Sequence, residues 1–456
     1  MDGLECTEVQ FCSALSATDY FRLESEFFNA KSLLYPQILR GNDIISEVQY
    51  GTSKYCDEER DGYPVLRLNE LHNGFIEIPQ KYCHILSPDE FEKLRLKRGD
   101  VLIIRTNGNP NLVGQAAVVL EDTEFAFASY LFRVVPNNKI NSETLVAYLN
   151  CKYGRYEIDK NSMKGNQTNF SPAKFKDIAI PKFGRPFQIA IQKLFGDAYT
   201  LRNNANRIYA RAKTVLNVAM GISTTHVNEV SVKSLSASFK KTGRLDAEYY
   251  QPKYEKYVKG LNTRDTVFSL CKMHDENFEP IGRAHYPYIE LANVGTEGEI
   301  ANVETILGNE LPTRARRKVK AGQVIISSIE GSLQSCALIQ PEYEGALCST
   351  GFYVLSSDFI NPETLLVLFK SEPIQALMKQ RCSGTILTGI TKDEFLSMPF
   401  PKIADEAQEQ IASMVRQAFS LRRRSEQLLD YAKQAVELAI EQGEDVAVAW
   451  LKDKVE

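Results

Sequence analysis

The sequence predicts an α+β protein in which two similar β-rich modules are separated by two long antiparallel helices forming a coiled coil with approximate twofold symmetry. Three observations carry this prediction: an internal repeat offset by about 220 residues, apolar runs that follow glycine-containing turns in each half, and two long stretches with helical spacing of apolar residues. A chain of 456 residues is also too long for one ordinary core. The predicted segments are a first module at 1–183, a first spacer helix at 184–221, a second module at 222–403, a second spacer helix at 404–443 and a C-terminal tail at 444–456.

The internal repeat consists of matching segments that occur in the same order in both halves. The pairs are 22–28 with 244–250, 64–68 with 287–291, 97–103 with 320–326, 140–145 with 360–365, and 180–183 with 400–403. Residues 97–103 and 320–326 each contain a glycine turn and then an apolar, β-branched run, which predicts a buried strand. The second pair of segments is followed by Asn73-Gly74 in one half and Glu297-Gly298 in the other, which predicts β-hairpins.

The two predicted spacer helices carry nearly the same pattern of large and small residues. Apolar or small residues recur at alternating spacings of three and four, which predicts a seam between two paired helices. In the first helix these positions are Ile191, Leu194, Ala198, Leu201, Ala205, Ile208, Ala212, Val215 and Ala219. In the second helix they are Ile411, Met414, Ala418, Leu421, Ser425, Leu428, Ala432, Ala435 and Ala439. The alternative is that each helix packs only on its own module.

Local signals also place the ends of these helices. Gly221 and Gly443 lie where each helix should stop. At the start of the second helix, Asp405 can act as the N-cap, and Gln408 follows three residues later in the manner of a capping box.

The length of the helices suggests a purpose for them. A helix of about 29 residues spans about 43 Å. A turn of B-DNA is about 34–36 Å, so two modules held apart by such helices could meet two half-sites on one face of a duplex. The sequence therefore predicts a split DNA target with a fixed gap.

Composition argues against several classes of protein. With 43% hydrophobic and 25% charged residues, the chain has the composition of a soluble globular protein. The nine cysteines and five histidines are scattered without metal-ligand spacing, so we expect no metal site. No apolar run is long enough to cross a membrane, and the N-terminus lacks the plan of a secretory signal. We therefore expect a cytoplasmic protein that does not contact membranes.

Catalytic motifs are missing from the sequence. It contains no GxxxxGK[ST] phosphate loop, no Asn-Pro-Pro-Tyr type of methyltransferase motif with a glycine loop for the cofactor, and no convincing carboxylate-and-lysine nuclease arrangement. We therefore expect a protein that is not an enzyme. The net charge of −4 argues mildly against one that coats nucleic acid by electrostatics alone.

This layout resembles the specificity subunits of type I restriction-modification systems. The stretches that carry the resemblance are 97–103 with 320–326, 180–183 with 400–403, and the glutamine-rich helix start at 408–412. It covers essentially residues 20–442. Two departures are a long opening stretch at 40–62 and Gln323, which lies where the turn usually has Asp.

The resemblance implies a non-catalytic host-defence subunit whose two modules are target-recognition domains that read a bipartite site in double-stranded DNA. It also implies two copies of an adenine-N6 methyltransferase (modification) subunit as partners and, for cleavage, a restriction subunit that acts as translocase and nuclease. S-adenosylmethionine, ATP and Mg²⁺ would be bound by those partners, and this chain would need no cofactor.

Polar loops in both modules have side chains suited to base edges, because Asn can bond adenine at two points, Arg can do so with guanine, and Glu can accept from cytosine. The candidates in the first module are Arg105, Thr106, Asn107, Asn109, Asn111, Lys164, Asn166, Gln167 and Asn169, and those in the second are Ser328, Glu330, Thr385 and Thr388. Arg314, Arg316, Arg317 and Lys318 form the densest basic cluster of the second module and could contact phosphates. The loop residues are equally common in solvated turns. Arg422, Arg423 and Arg424 fit an exposed helix face.

Two rival functions stay open at this level. The chain could be a scaffold whose helix pair joins two protein-binding modules without DNA contact, which the net charge favours. It could also be a methyltransferase fused to its recognition modules. The target bases and the gap length cannot be read from the sequence, because loop geometry determines them.

Overall fold

The computed structural model describes residues 10–11, 35–163, 167–221, 230–301, 303–384 and 388–455, and the chain divides into two compact units. Unit 1 contains the described residues up to Arg202 together with those from Arg423 onward, and unit 2 contains those from Asn203 to Arg422. Each long helix therefore contributes one half to each unit, whereas the predicted boundaries set both helices apart as spacers. The first repeat segment, 22–28, lies outside the described residues.

Unit 1 combines several small sheets with short helices. Its strands are β1 (Ile38–Arg40), β2 (Ile45–Tyr50), β3 (Tyr63–Leu66), β4 (Leu71–His72), β5 (Phe75–Ile76), β6 (Tyr82–Cys83), β7 (Val101–Ile104), β8 (Thr106–Asn107), β9 (Ala116–Val118), β10 (Ala126–Phe127), β11 (Leu131–Pro136), β12 (Thr168–Asn169) and β13 (Ala179–Pro181). Its short helices are α1 (Pro88–Leu94), α2 (Ser142–Asn150), α3 (Lys152–Asn161) and α4 (Pro172–Asp177). The largest sheet has the order β2-β11-β7-β9-β5-β4, a second has the order β10-β3-β6, and β1 with β13 and β12 with β8 form two-stranded ladders.

Unit 2 repeats much of this plan. After the long helix α5 (Arg185–Met220) come α6 (Phe239–Thr242), α7 (Pro252–Leu261), α8 (Val267–Leu270), β14 (Lys272–Met273), β15 (His285–Ile289), β16 (Glu304–Leu307), β17 (Ala315–Lys318), β18 (Val324–Ser327), β19 (Cys336–Leu338), β20 (Leu347–Ser349), β21 (Phe352–Ser356), α9 (Pro362–Phe369), α10 (Glu372–Arg381) and α11 (Lys392–Leu396). They lead to the second long helix, α12 (Asp405–Gln442), and to α13 (Glu444–Val455) in unit 1. The two sheets of unit 2 have the orders β14-β21-β18-β19 and β16-β15-β20-β17.

The central strands β7 and β18 are buried on both faces, as the sequence predicts. In β7, Val101 and Ile103 face one hydrophobic core while Leu102 and Ile104 face another. The side chains of β18 alternate between two cores in the same way. A strand covered on both sides needs apolar residues at successive positions, and residues 101–104 and 324–326 supply them. The α+β class with two β-rich units and two long helices is confirmed.

The two predicted hairpins are both present but differ in the length of the connection between their strands. In unit 1, β4 and β5 pair as a tight hairpin, and its turn residues Asn73 and Gly74 both have positive φ, at 48° and 84°. Such a turn matches the twist of antiparallel strands. In unit 2, the turn at Gly298 is closed by a bridge between Val294 and Ile300, and the strands on either side, β15 and β16, pair antiparallel. The second predicted hairpin is therefore also present, with a longer connection between its strands.

The long helices begin and end close to the predicted positions. They contain 36 and 38 residues, and the residues that follow them, Gly221 and Gly443, have φ values of +66° and +100°. The span of 29 residues runs only from the first to the last seam position, and both helices extend beyond it at each end. The predicted N-cap at Asp405 is wrong, since Asp405 is already the first helical residue.

Within each unit, the halves of the two helices pack against each other in opposite directions. In unit 1, Ser425 Oγ donates to the Ala198 carbonyl at 2.7 Å. The N–H of Gly184, just before α5, donates to the Glu444 carboxylate at 2.9 Å. In unit 2, the rings of Tyr209 and Phe419 stack with centroids 6.5 Å apart. The helices also pack on the modules, because each half belongs to the hydrophobic core of its unit.

The buried face of the helices departs from the predicted seam in places. Ile191, Leu194, Ile411 and Leu428 are buried, whereas Leu201, Ile208, Val215, Met414 and Leu421 are half-buried and Ala219 is exposed. In the second half of α5 the buried positions are Ala205, Tyr209, Ala212, Leu216 and Met220. Residues with a 3.5-residue period rotate by about 20° per heptad around a straight helix. Towards the end of α5 the buried face is therefore formed by residues that follow the predicted seam positions by one.

A pair of amides, a buried glutamine and a half-buried asparagine, fixes each long helix to its module, and this arrangement was not predicted. Asn141 caps α2, donates its side-chain amide to the Gln188 carbonyl at 2.9 Å, and donates its backbone N–H to Gln188 Oε1 at 2.8 Å. Asn361 and Gln408 repeat these two bonds in unit 2 at 3.0 and 2.7 Å. Gln408 therefore serves this amide pair instead of the predicted capping box.

The residues predicted as a C-terminal tail form helix α13. Ala447 and Leu451 are buried in the core of unit 1, and Trp450 contacts Tyr431 edge-to-face with ring centroids 5.6 Å apart. The tail prediction is therefore corrected, because this short amphipathic segment buries one face. Across the described residues, no helix combines the length and the apolar character that a membrane span requires.

Candidate nucleic-acid interface

In unit 1, two of the predicted recognition loops join at the end of the central strand. Strands β8 and β12 pair antiparallel, with Thr106 opposite Asn169 and Asn107 opposite Thr168. The backbone N–H of Phe170 donates to the carbonyl of Arg105 at 2.8 Å. Loops that are 60 residues apart in the sequence therefore form one continuous surface.

Unit 2 repeats this junction with fewer backbone bonds. Ile329 bridges Gly389, and the N–H of Glu330 donates to the carbonyl of Thr388 at 3.0 Å. The N–H of Ile390 donates to the carbonyl of Ser328 at 2.9 Å, as Phe170 does to Arg105. The end of each central strand thus presents the same pair of joined loops.

The polar side chains of the first loop in unit 1 partly stabilise the loop itself. Asn107 Oδ1 accepts the N–H of Asn109 at 2.8 Å, and Asn109 Oδ1 accepts the N–H of Asn111 at 3.0 Å. This is the turn role that the sequence left open beside base recognition. Thr106 is buried, whereas Asn111 and Gln167 are exposed.

Arg105 follows β7 directly and has an unusual environment. Its guanidinium carbon lies 5.4 Å from the centroid of the Tyr50 ring. Its Nε atom is buried, and in the described part of the chain no acceptor bonds its side chain. The backbone N–H of Arg105 donates to the carbonyl of Tyr130 at 2.8 Å. Tyr50 and Tyr130 are 48% and 45% exposed, so Arg105 lies against one accessible aromatic ring and bonds the backbone of a second exposed tyrosine.

The corresponding residues of unit 2 have different chemistry. Ser328 lies in the position of Arg105, and its Oγ donates to the carbonyl of Gly351 at 2.9 Å. Gly351 in turn lies in the position of Tyr130. Glu330 and Thr388 are half-buried at the junction of the two loops. Ser328 and Gly351 therefore occupy the positions that hold an arginine and an exposed tyrosine in unit 1.

The basic cluster of unit 2 packs against an acidic segment, residues 275–279. The contacts are those of Arg316 with Glu279 at 2.7 Å, Arg317 with Asn277 at 2.7 Å, and Lys318 with the Phe278 ring at 4.8 Å from its centroid. Arg314 is exposed. Three of the four predicted phosphate contacts are thus held by neighbours in the same unit.

Some residues predicted to lie on DNA-contacting or exposed surfaces have a different environment, and others lie outside the described residues. Lys164, Asn166 and Thr385 lie outside the described residues. Arg422 does not lie on an exposed helix face: its side chain is 10% exposed and contacts Glu299 at 3.0 Å, because this side of α12 faces the core of unit 2. Arg423 is exposed, as predicted.

The sequence did not point to Tyr50, Tyr130 or residues 275–279 as parts of these surfaces. Tyr50 is 55 residues from Arg105, and only the pairing of β2 with β11 and of β11 with β7 brings the two together. One signal was present in the sequence, since Tyr130 directly precedes a strand that the apolar pattern predicts to be buried.

A small cluster in unit 1 places one ligand atom each from Asp57, Glu59 and His84 within 4.8 Å of one another, although we expected no metal site from the spacing. His84 Nε2 lies 2.9 Å from Asp57 Oδ1. This hydrogen bond raises the pKa of His84 and lowers that of Asp57. The partners come from two neighbouring segments joined by a bridge between Asp57 and Tyr82, which spacing along the chain does not reveal.

No family model and no curated protein matches this sequence. Among solved structures, the chain is similar to the S subunit of a type I restriction-modification system from M. genitalium, with 12% identity, a TM-score of 0.34, and coverage of 91% of this chain and 95% of that one. It is similar to the HsdS subunit from Thermoanaerobacter tengcongensis, with 13% identity, a TM-score of 0.29, and coverage of 90% and 97%. It is also similar to a chain from a structure of complex assembly and conformational transition in the type I R-M system, with 14% identity, a TM-score of 0.30, and coverage of 91% and 100%.

Proposed function

We propose that this chain is the DNA-specificity subunit of a type I restriction-modification complex, and that it reads a bipartite site in double-stranded DNA without catalysing a reaction. The observation that carries the proposal is the duplicated pair of joined loops at the ends of β7 and β18. Two similar loop pairs on similar scaffolds suit two half-sites of one duplex. Because their side chains differ, the two half-sites would differ in sequence.

The proposal assigns all chemistry to partner subunits. Two modification subunits would methylate adenine with S-adenosylmethionine, and a restriction subunit would use ATP and Mg²⁺ for translocation and cleavage. The missing phosphate-loop and methyltransferase motifs support this division. The complex would act in the cytoplasm, where its DNA substrate is accessible.

The paired helices would set the gap between the half-sites. Gln188 and Gln408 support this role, because each is buried and bonds its helix to the module beside it. A module anchored in this way moves with its helix. Inserting four residues into both α5 and α12 should lengthen the gap in the recognised sequence. An unchanged gap would contradict the proposal that the helices set it.

The decisive experiment is selection from randomised DNA duplexes by the complex that co-purifies with the tagged full-length chain. We expect two conserved blocks separated by a fixed gap. Glu330→Gln should alter one block only, because it changes one loop pair. If no sequence is enriched, the chain is better explained as a scaffold without DNA contact, a role that its net charge of −4 favours.

A second assay tests whether the lone chain is an enzyme. The purified chain is incubated with the selected duplex and labelled S-adenosylmethionine, and the co-purified complex serves as the positive control. We expect methyl transfer by the complex and none by the lone chain. Transfer by the lone chain would identify a methyltransferase fused to its recognition modules.

A further inference from the structure

Arg105 is a partly buried cation for which the described residues of its unit supply no hydrogen-bond acceptor and no ion-pair partner. Two other cations of the candidate surfaces have partners, namely Arg316 with Glu279 at 2.7 Å and Arg317 with Asn277 at 2.7 Å. Arg105 has no such acceptor among the described residues, and its Nε is buried. A guanidinium without an internal acceptor is unfavourable in a partly buried place, so its position at a loop junction suits an acceptor that comes from outside the chain and bonds its terminal nitrogens.

The stacking of Arg105 on Tyr50 determines which acceptor fits. The guanidinium carbon lies 5.4 Å from the ring centroid, so the ring contacts the cation. This contact leaves the N–H groups of the guanidinium available for hydrogen bonds. A guanidinium held on an aromatic ring loses little freedom when it bonds a planar pair of acceptors. The O6 and N7 atoms of guanine are such a pair, and they lie in the major groove.

We infer that Arg105 reads a guanine in the half-site recognised by unit 1 and that Tyr50 is its positioning residue. This inference rests on the proposed function. Unit 2 has Ser328 at the same place, with its hydroxyl bonded to the Gly351 carbonyl at 2.9 Å. The half-site read by unit 2 therefore has no arginine-read guanine at the corresponding position.

The test repeats the duplex selection with Arg105→Ala and Arg105→Lys complexes and then titrates each complex on the duplex selected by the wild type. Arg98→Ala is the matched control, because it removes the same charge from an exposed position before β7, at the opposite end of that strand. Thermal unfolding of each variant checks that unit 1 is folded.

Arg105→Ala should relax one guanine position in one block, leave the other block unchanged, and weaken binding about 5- to 150-fold. Arg105→Lys keeps the charge but loses the planar fork, so it should also lose the guanine preference. Replacing that guanine by 7-deazaguanine, which lacks the N7 acceptor, should weaken binding by the wild type and not by Arg105→Ala. Arg98→Ala should keep the selected sequence.

Tyr50→Phe keeps the ring and should preserve the guanine preference, whereas Tyr50→Leu should reduce it. A purely structural role for the ring predicts no change in base preference in either variant. This comparison isolates positioning from folding, because the readout is the selected base and not the stability of unit 1.

Other outcomes overturn the inference in distinct ways. Equal weakening on all sequences, with a salt dependence reduced by about one ion, would assign Arg105 to a phosphate. If the wild type selects a bipartite sequence and Arg105→Ala selects the same one, the inference fails while the proposed function stands. If the wild type selects no sequence, the proposed function itself fails. Should Arg105→Ala not fold, insensitivity of the wild type to 7-deazaguanine would still refute the guanine contact.

Discussion

Units 1 and 2 share the turn before their central strand but differ in the charge buried beneath it. In unit 1, the Asp100 carboxylate accepts the N–H of Lys97 at 2.9 Å and pairs with the Arg133 guanidinium at 3.3 Å. In unit 2, the side-chain oxygen of Gln323 accepts the N–H of Lys320 at 2.7 Å. The change from Asp to Gln therefore leaves the turn intact.

The neighbouring strand explains why the two units use different residues. Strand pairing places Arg133 opposite Leu102 in unit 1 and Val354 opposite Ile325 in unit 2. Burial raises the pKa of Asp100, so a carboxylate is unfavourable there unless a cation lies beside it. The backbone bond of this turn is therefore present in both units, whereas the buried carboxylate is present only in the unit where Arg133 lies beside it.

The largest expected effect comes from separating this charged pair. Arg133→Val, which copies unit 2, leaves Asp100 buried without its cation and should lower the free energy of unfolding of unit 1 by about 3–5 kcal/mol. Asp100→Gln alone should cost less, because Arg133 keeps Glu47 at 2.9 Å and the Arg95 carbonyl at 3.0 Å as acceptors. Denaturant unfolding followed by the fluorescence of Trp450, the only tryptophan, measures both.

The double variant Asp100→Gln/Arg133→Val is the sharper test, since it installs the neutral pair of unit 2 in unit 1. We expect it to regain most of the stability that Arg133→Val loses, because no buried charge then lacks a partner. A double variant as unstable as Arg133→Val would contradict the explanation and would point to lost packing around position 133.

The amide pairs are the feature in which the two units agree. Gln188→Leu and Gln408→Leu each leave buried backbone groups without partners, so each should destabilise its own unit by about 1–3 kcal/mol per unsatisfied group. Circular dichroism on denaturant titration measures both variants. Gln410→Leu, at an exposed position of α12 two residues after Gln408, is the control and should have little effect. Clearly unequal losses of stability in Gln188→Leu and Gln408→Leu would show that the two amide pairs do not stabilise their units equally.

Local patterns predicted the parts of the fold that local chemistry determines. The apolar runs identified β7 and β18, because a strand buried on both faces needs apolar residues at successive positions. Gly221 and Gly443 marked the helix ends, because the residue after a helix often adopts the left-handed backbone conformation that favours glycine. Gln408 shows the limit of such rules. Its spacing from Asp405 fits a capping box, but its side chain bonds Asn361 of the module instead. That contact cannot be predicted from the spacing of residues along the chain.

The candidate interface was predictable in its loops and not in its contacts. The sequence named the loops around Arg105 and Asn169 separately, and only strand pairing joins them. The sequence also indicated Arg316 and Arg317 as phosphate contacts, since clustered charges are visible in any sequence. Their partners at residues 275–279 lie about 40 residues away along the chain and become neighbours only through the fold.

The smallest expected effect concerns one histidine in each unit, whose pKa values shift in opposite directions. The hydrogen bond to Asp57 raises the pKa of His84 above its usual 6.5. Burial, reinforced by Lys272 and Lys320, lowers the pKa of His274 below 6.5. The stabilisation from His84 is complete below pH 6.5 and is lost as the pH rises through its folded pKa. His274 has the opposite sign: its contribution is complete above pH 6.5 and is lost as the pH falls through its folded pKa.

Proton NMR titration of the imidazole signals measures both pKa values directly, with His84→Asn and His274→Asn used to assign the signals. When the pH falls from 8 to 5, wild-type unit 1 should gain stability through His84, and the His84→Asn variant should not show this gain. Over the same range, wild-type unit 2 should lose stability through His274, and the His274→Asn variant should not show this loss. A pKa of His84 at or below 6.5 would contradict the bond to Asp57. A pKa of His274 above 6.5 would show that water or an unrecognised acceptor reaches this imidazole in unit 2, and the two units would then respond to pH in the same direction.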